Sequence, residues 1–206
     1  MNDYHQPLLP DNIYHLFSRA VGSEKLFKSS ANYLFFLQKL KQHTSAVCKI
    51  YCYTLLPNHF HILVRISDEA AIVQHFQEVK NRAFQPSQHD ISDFIMERFS
   101  NFLNSYTKAF NKMYNRKGAL FMDYIKRSSV NAETDFTSYI WYIHKNAVHH
   151  RLAKEIGEWE FDSYASILSD APTSLLREQV IEWYGNKCEF IKFHQQPDIS
   201  KVIKDI

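Results

Sequence analysis

Apolar positions along the chain follow two rhythms, and their alternation predicts the order of elements. Ile13 to Val21 is rich in strand formers and stops at Gly22, so it reads as a first strand. Ser29 or Ser30 caps the helix that follows, in which Tyr33, Leu34, Leu37 and Leu40 recur at helical spacing. Val47 to Leu56 is a second strand, and Pro57-Asn58 marks a turn. His59 to Ile66 is a third strand, antiparallel to the second. Ser67 caps a helix reaching about Phe84, and Gln85 to Asp90 is a loop around Pro86. A long helix runs from Ile91 to about Tyr114, where Ile91, Ile95, Phe99, Phe102, Leu103, Tyr106, Phe110 and Met113 line one face. Asn115-Arg116-Lys117-Gly118 ends it, and Leu120 to Val130 holds a fourth strand. Asn131 or Thr134 then caps a helix to about Leu152.

Strand, helix, strand, strand, helix, strand predicts an α+β fold, a ferredoxin-like βαββαβ sandwich whose second helix is divided or extended. The helix ending near Leu152 is extra to that plan and carries tyrosines. After Gly157 the composition changes. Trp159, Phe161 and Tyr164 look like a strap, and Ser174 to Tyr184 and Lys187 to Gln195 read as short helices around Gly185. The expected division is a main unit over residues 1–156 and a helical extension over 157–206.

The alternation of the third strand places His59 and His61 on one face, with Cα atoms roughly 6.5–7 Å apart. Phe60 and Ile62 take the opposite, buried face. Both imidazoles can therefore converge on one ion. A structural zinc site with Cys48 and Cys52 fits poorly, because zinc-finger histidines are usually three to five residues apart. The helix after the fourth strand splits into stripes. Phe136, Ile140, Ile143 and Ala147 form one, and Trp141, Lys145, Val148 and Leu152 another. Between them run Tyr139, Tyr142, Asn146 and His149. A hydrogen-bonded helix–sheet seam accounts for that polar stripe as well as a functional site does. On the functional reading Tyr142 is a nucleophile and Asn146, one turn later, an oxygen donor to a metal held by His59 and His61. Such a mixed nitrogen and oxygen set suits Mg²⁺ or Mn²⁺, and Zn²⁺ also fits chemically. Its chemistry would be metal-assisted attack on a phosphodiester.

Charge changes the picture locally. The net charge of +2 says little about partners, but residues 98–127 hold seven basic residues and one acid, Asp123. Lys108, Lys112, Arg116, Lys117, Lys126 and Arg127 are the candidate contacts to a polyanion, a solvated helix face being the plainer alternative. Three cysteines without disulfide-like spacing suggest a reducing compartment. The first residues lack a signal-peptide pattern, and no apolar run is long enough to span a bilayer, so the expected location is cytoplasmic, with no membrane partner.

Leu-Pro-Asn-His-Phe-His-Ile-Leu-Val at 56–64 resembles the His-hydrophobic-His motif of HUH endonucleases. Tyr-Ile-His-Lys-Asn-Ala-Val at 142–148 resembles the Tyr-Ile-His-x-Asn-Pro-Val segment of REP-associated tyrosine transposases. Tyr14-His15, residues 100–106 and residues 115–121 add to the resemblance, which covers about residues 12–168. It implies a ferredoxin-like core, a divalent metal and covalent 5′-phosphotyrosine chemistry on single-stranded DNA carrying a hairpin. His59 and His61 match the metal pair and Tyr142 the nucleophile; Asn146 falls where related enzymes place a polar third ligand. Two positions depart from the pattern: Ala147 replaces a proline, and Met122-Asp123-Tyr124 stands where a glutamine and a basic residue are expected. The resemblance is compatible with a monomer or a homodimer. Two other readings share part of these features. One is a module of the same fold that binds hairpin DNA or RNA without cutting it. The other is a metal-dependent hydrolase with a small closed pocket.

Overall fold

The computed structural model describes residues 4–131 and 135–197. Four strands, β1 (Ile13–Arg19), β2 (Cys48–Leu56), β3 (His59–Ile66) and β4 (Lys126–Ser129), form one antiparallel sheet in the order β2-β3-β1-β4. With helices α1 (Ser30–Thr44) and α3 (Ile91–Met113) between strands, this is the ferredoxin-like arrangement, to which α2 (Glu69–Lys80) is added. The tyrosine-bearing helix is α4 (Phe136–His149), and α5 (Tyr164–Leu168), α6 (Arg177–Tyr184) and α7 (Lys187–His194) follow it.

Alternation along β3 builds two cores. Phe60, Ile62, Val64 and Ile66 meet Phe36 and Leu40 of α1 and Phe99, Phe102 and Tyr106 of α3. Leu63, on the other face, meets Phe136, Ile140 and Ile143 of α4. Ile167, Val180 and Phe190 of the last three helices complete this second cluster. The segment after Gly157 also covers the outer edge of β2. Phe161 O accepts from Leu55 N, Ser163 N donates to Tyr53 O, and Leu176 N donates to Ile50 O. An open strand edge is thereby paired rather than left to other chains. The strap residues Trp159 and Phe161 reach the first core instead, where Phe161 stacks on Tyr33 at 3.7 Å.

Several element limits differ from the sequence expectation. Asp68, not Ser67, caps α2, its carboxylate accepting from Ala71 N, and the helix stops at Asn81 in the left-handed region, short of Phe84. The fourth strand is confined to Lys126–Ser129, with Phe121 making an isolated bridge to Ala20. Between them Asp123 Oδ1 accepts from Tyr124 N, and this local bond turns the chain out of the ladder. Helix α4 ends at His149 rather than Leu152. Arg151 adopts a left-handed φ of 58°, while Leu152 N donates to Ala147 O and Arg151 N to Val148 O. These are the two bonds of a Schellman stop, made with arginine where glycine is usual. The candidate cap Thr134 lies outside the described residues.

Candidate active site

The second face of the sheet carries polar chemistry where the α4 layer leaves it open. Register places Phe17 beside His61 on β1 and Thr54 beside it on β2, while Arg19 and Leu56 flank His59. The His59 and His61 rings lie 5.3 Å apart and nearly perpendicular. The Tyr142 ring lies 5.8 Å from that of His61 and nearly perpendicular to it. One bond fixes this spacing. Thr54 Oγ1 donates to Ile143 O at 2.6 Å, pinning α4 to β2 one residue beyond the tyrosine.

Hydrogen bonds at Nδ1 decide what the histidines offer. His59 Nδ1 lies 2.7 Å from Asn58 Oδ1, and an amide oxygen only accepts. His59 Nδ1 therefore carries the proton and Nε2 is bare. His61 Nδ1 lies 2.9 Å from Nε2 of His15, a buried ring on β1 that stacks parallel to it. Burial holds His59 down at about 4, helped by His150 and Arg19 nearby. Burial also holds His61 well below the usual imidazole range, with His15, His59 and His150 adding to the effect. Both rings are neutral at pH 7, the form a metal ligand needs.

Asn146 is buried and turned toward the tyrosine. Its Nδ2 donates to Tyr142 O at 2.9 Å. Burial raises the Tyr142 hydroxyl above its ordinary value, and a side-chain hydrogen bond with Asn146 opposes that rise. Among the described residues no group of three His, Cys, Asp or Glu side chains is placed to hold a metal. Of the three expected metal donors, the two imidazoles have their Nδ1 atoms already engaged, and Asn146 has its amide nitrogen bonded to Tyr142 O.

His59 and His61 open into a cavity of about 360 Å³. Its wall includes Phe17, Arg19, Met122, Asp123, Tyr124, Lys126 and His150. The space is neither small and closed nor sealed by a helix. Met122 and Tyr124 are exposed on the rim, with relative exposures of 61% and 69%.

The basic residues do not form one path. Arg127 is buried and donates to the carbonyls of His5, Gln6 and Ile125, tying the N-terminal segment beside β4. Arg116 is similarly engaged, with Asn111 Oδ1, the carbonyls of Gly118 and Ala119, and Glu24. Both guanidiniums thus already have partners within the chain. Lys108 and Lys112 are exposed on α3, in the layer across the sheet from the histidines. Lys117 is exposed in the following loop, and only Lys126 of the six lines the cavity. Arg19, His15 and His150 join the site without having been singled out for it. The alternation of β1 puts His15, Phe17 and Arg19 on one face, which was a readable signal; their distance from β3 was not.

The sequence matches no protein-family model. No curated protein matches it either. Among solved structures, the fold matches that of a REP-associated tyrosine transposase bound to a REP hairpin, with a TM-score of 0.60 and 13% identity. The match covers 84% of this chain and 90% of that one. The α+β architecture is therefore one that a known transposase also uses. No helix among the described residues is long and apolar enough to cross a membrane.

Proposed function

We propose that this chain nicks and joins single-stranded DNA beside a hairpin, with Tyr142 as nucleophile and a divalent metal, Mg²⁺ or Mn²⁺, at His59, His61 and Asn146. The observation that carries the reading is the Tyr142 ring 5.8 Å from His61, which with His59 lines one cavity. The hairpin held by the structural neighbour supports the substrate class. When bound, the metal supplies polarisation of the scissile phosphate.

The protein's own groups do the rest. The Tyr142 oxygen forms a bond to phosphorus and the bond from phosphorus to the 3′ oxygen breaks. The phenolic proton leaves to solvent, and the departing 3′ oxygen takes a proton. The hydrogen bond with Asn146 favours the phenolate against the effect of burial. Arg19 and Lys126 are the cationic side chains at the cavity, suited to phosphates on either side of the cut. Rejoining reverses the same steps, with a 3′ hydroxyl attacking the phosphotyrosine.

The absence of a third His, Asp or Glu ligand among the described residues favours a second reading, a hairpin-binding module that does not cut. One experiment separates the two. Labelled single-stranded hairpins are incubated with the protein in Mn²⁺ or in chelator, and denatured protein is examined for attached label. We expect an adduct only with metal, and none with Tyr142→Phe, which should still bind the hairpin. Retention of the adduct in Tyr142→Phe would move the nucleophile to Tyr139 or Tyr124. Tight binding with no adduct under any condition supports the module.

A further inference from the structure

The cavity beside His59 and His61 is larger and less polar than a phosphate alone requires. Its volume of about 360 Å³ falls in the range of pockets that hold small organic groups. Arg19 and Lys126 bring cations to its wall, whereas Phe17, Met122 and Tyr124 bring two aromatic rings and a thioether. Met122 and Tyr124 belong to the short segment before β4, and both are exposed. Apolar surface of this kind gives nothing to a phosphate. An exposed ring at the mouth of a DNA cavity is instead a surface on which an unpaired base stacks.

Asp123 stands between Met122 and Tyr124 in the same wall. Its Oδ1 accepts from Tyr124 N at 2.8 Å, and among the described residues no cation pairs with it. Nor is it placed with His59 and His61 to hold a metal. A carboxylate repels the backbone phosphates that Arg19 and Lys126 attract. Its fitting partner is a group made of N–H donors. An unpaired base exposes its Watson–Crick edge, and only guanine presents two adjacent donors there, N1–H and the N2 amino group. Adenine and cytosine set an acceptor beside their amino group, and thymine sets its N–H between two carbonyls. Resting on the DNA reading above, we propose that the cavity takes one unpaired guanine beside the scissile phosphate. The base lies on Tyr124 and turns its donor edge to Asp123, which is thereby a specificity-determining residue. The bond from Tyr124 N to Asp123 ties the stacking ring and the reading carboxylate into one unit.

The test is binding of the full chain, in chelator, to labelled hairpins with thymine flanks in which a single guanine is moved one position at a time. We expect one position to bind roughly tenfold tighter than the all-thymine flank. Inosine at that position, which lacks the amino group, should lose most of the gain. Asp123→Asn keeps an oxygen for Tyr124 N but turns a donor toward the base. It should raise affinity slightly for every flank, by removing a negative charge, and cancel the guanine advantage. Tyr124→Ala should weaken guanine and thymine flanks alike, because stacking needs only the face of a base. A flat profile along both flanks overturns the proposal, as does a guanine advantage that survives Asp123→Asn or a Tyr124→Ala variant of unchanged affinity. Failure to bind any hairpin removes the DNA reading and this proposal with it. A guanine advantage without any Tyr142 adduct in the labelling experiment sinks the cutting alone, so the two readings fall separately.

Discussion

On the α1/α3 face of the sheet, the packing is aromatic and continuous: Phe36 meets Phe102 at 4.8 Å and Tyr106 at 5.1 Å, and polar groups enter only at its edges, as where the Tyr106 hydroxyl donates to Leu26 O. On the α4 face, apolar side chains share space with histidines, threonine and serine that are bonded one to another. His194 Nδ1 donates to Phe190 O, which leaves its Nε2 to accept from His144 Nδ1. His144 Nε2 in turn accepts from Ser163 Oγ, which accepts from Tyr53 N. One face is held mainly by area and shape; the other adds directional bonds, several between residues far apart in sequence. Directional bonds fix a helix to within fractions of an ångström, which is what the nucleophile proposed on α4 would require.

The comparison is most sharply broken by cavities. Phe102→Ala on the first face should cost about 3–5 kcal/mol in denaturant unfolding. Tyr142→Phe, which only removes a half-buried hydroxyl, should change stability by less than about 0.5 kcal/mol. Similar losses in both would mean that the two faces are not held differently.

Acid should loosen the second face before the first. Burial lowers His194 to about 4 from an ordinary 6.5, and lowers His144 well below it. The unfolded chain then binds more protons in that window, so the stabilisation is complete above pH 6.5 and is lost as pH falls toward 4. His194 alone should remove about 2 kcal/mol between pH 7.5 and pH 5. Amide exchange in α4 and α7 should rise before that in α1 and α3. Uniform exchange across both layers at pH 5 counts against the distinction.

Nucleic-acid binding should divide along the same plane. Lys126→Ala should lower the salt slope of hairpin affinity by roughly 0.7–0.9, the value for one phosphate contact. Lys108→Ala, across the sheet, should leave it unchanged. Equal effects would place the duplex around both faces. The smallest effect concerns the end of α4. Arg151→Gly should raise stability by about 0.5–1 kcal/mol, the relief of a left-handed arginine less the added freedom of glycine in the unfolded chain. A loss on thermal unfolding would show that the arginine side chain holds something the φ angle does not reveal.

The first face was largely legible in the sequence. The 3.6-residue spacing of α3 and the alternation of β3 fix which residues are inside, and both periodicities are local. The α4 face was legible only in part. His59, His61 and Tyr142 stand out because two short patterns place them. The partner of Asn146 proved to be Tyr142, four residues away, whereas its distance from β3 depends on packing. His15 was obscure because its role rests on register: it pairs with Leu63 and so lies diagonal to His61. That Arg116 and Arg127 bond to backbone carbonyls was not legible, because such a partner leaves no trace in composition. The serine of the His144 chain stands beyond Gly157, in a segment that looked like an appendage.

That last point bears on the order in which the protein becomes competent. Phe190 and His194 close the layer against α4, and synthesis reaches them only after every other element of the fold. A nascent chain that has exposed Tyr142 but not yet residue 194 has its sheet and its histidines while the underside of α4 is still wet. The tyrosine thus takes its seat only after residue 194 has been made, and a product truncated before it would carry Tyr142, His59 and His61 without that packing beneath α4.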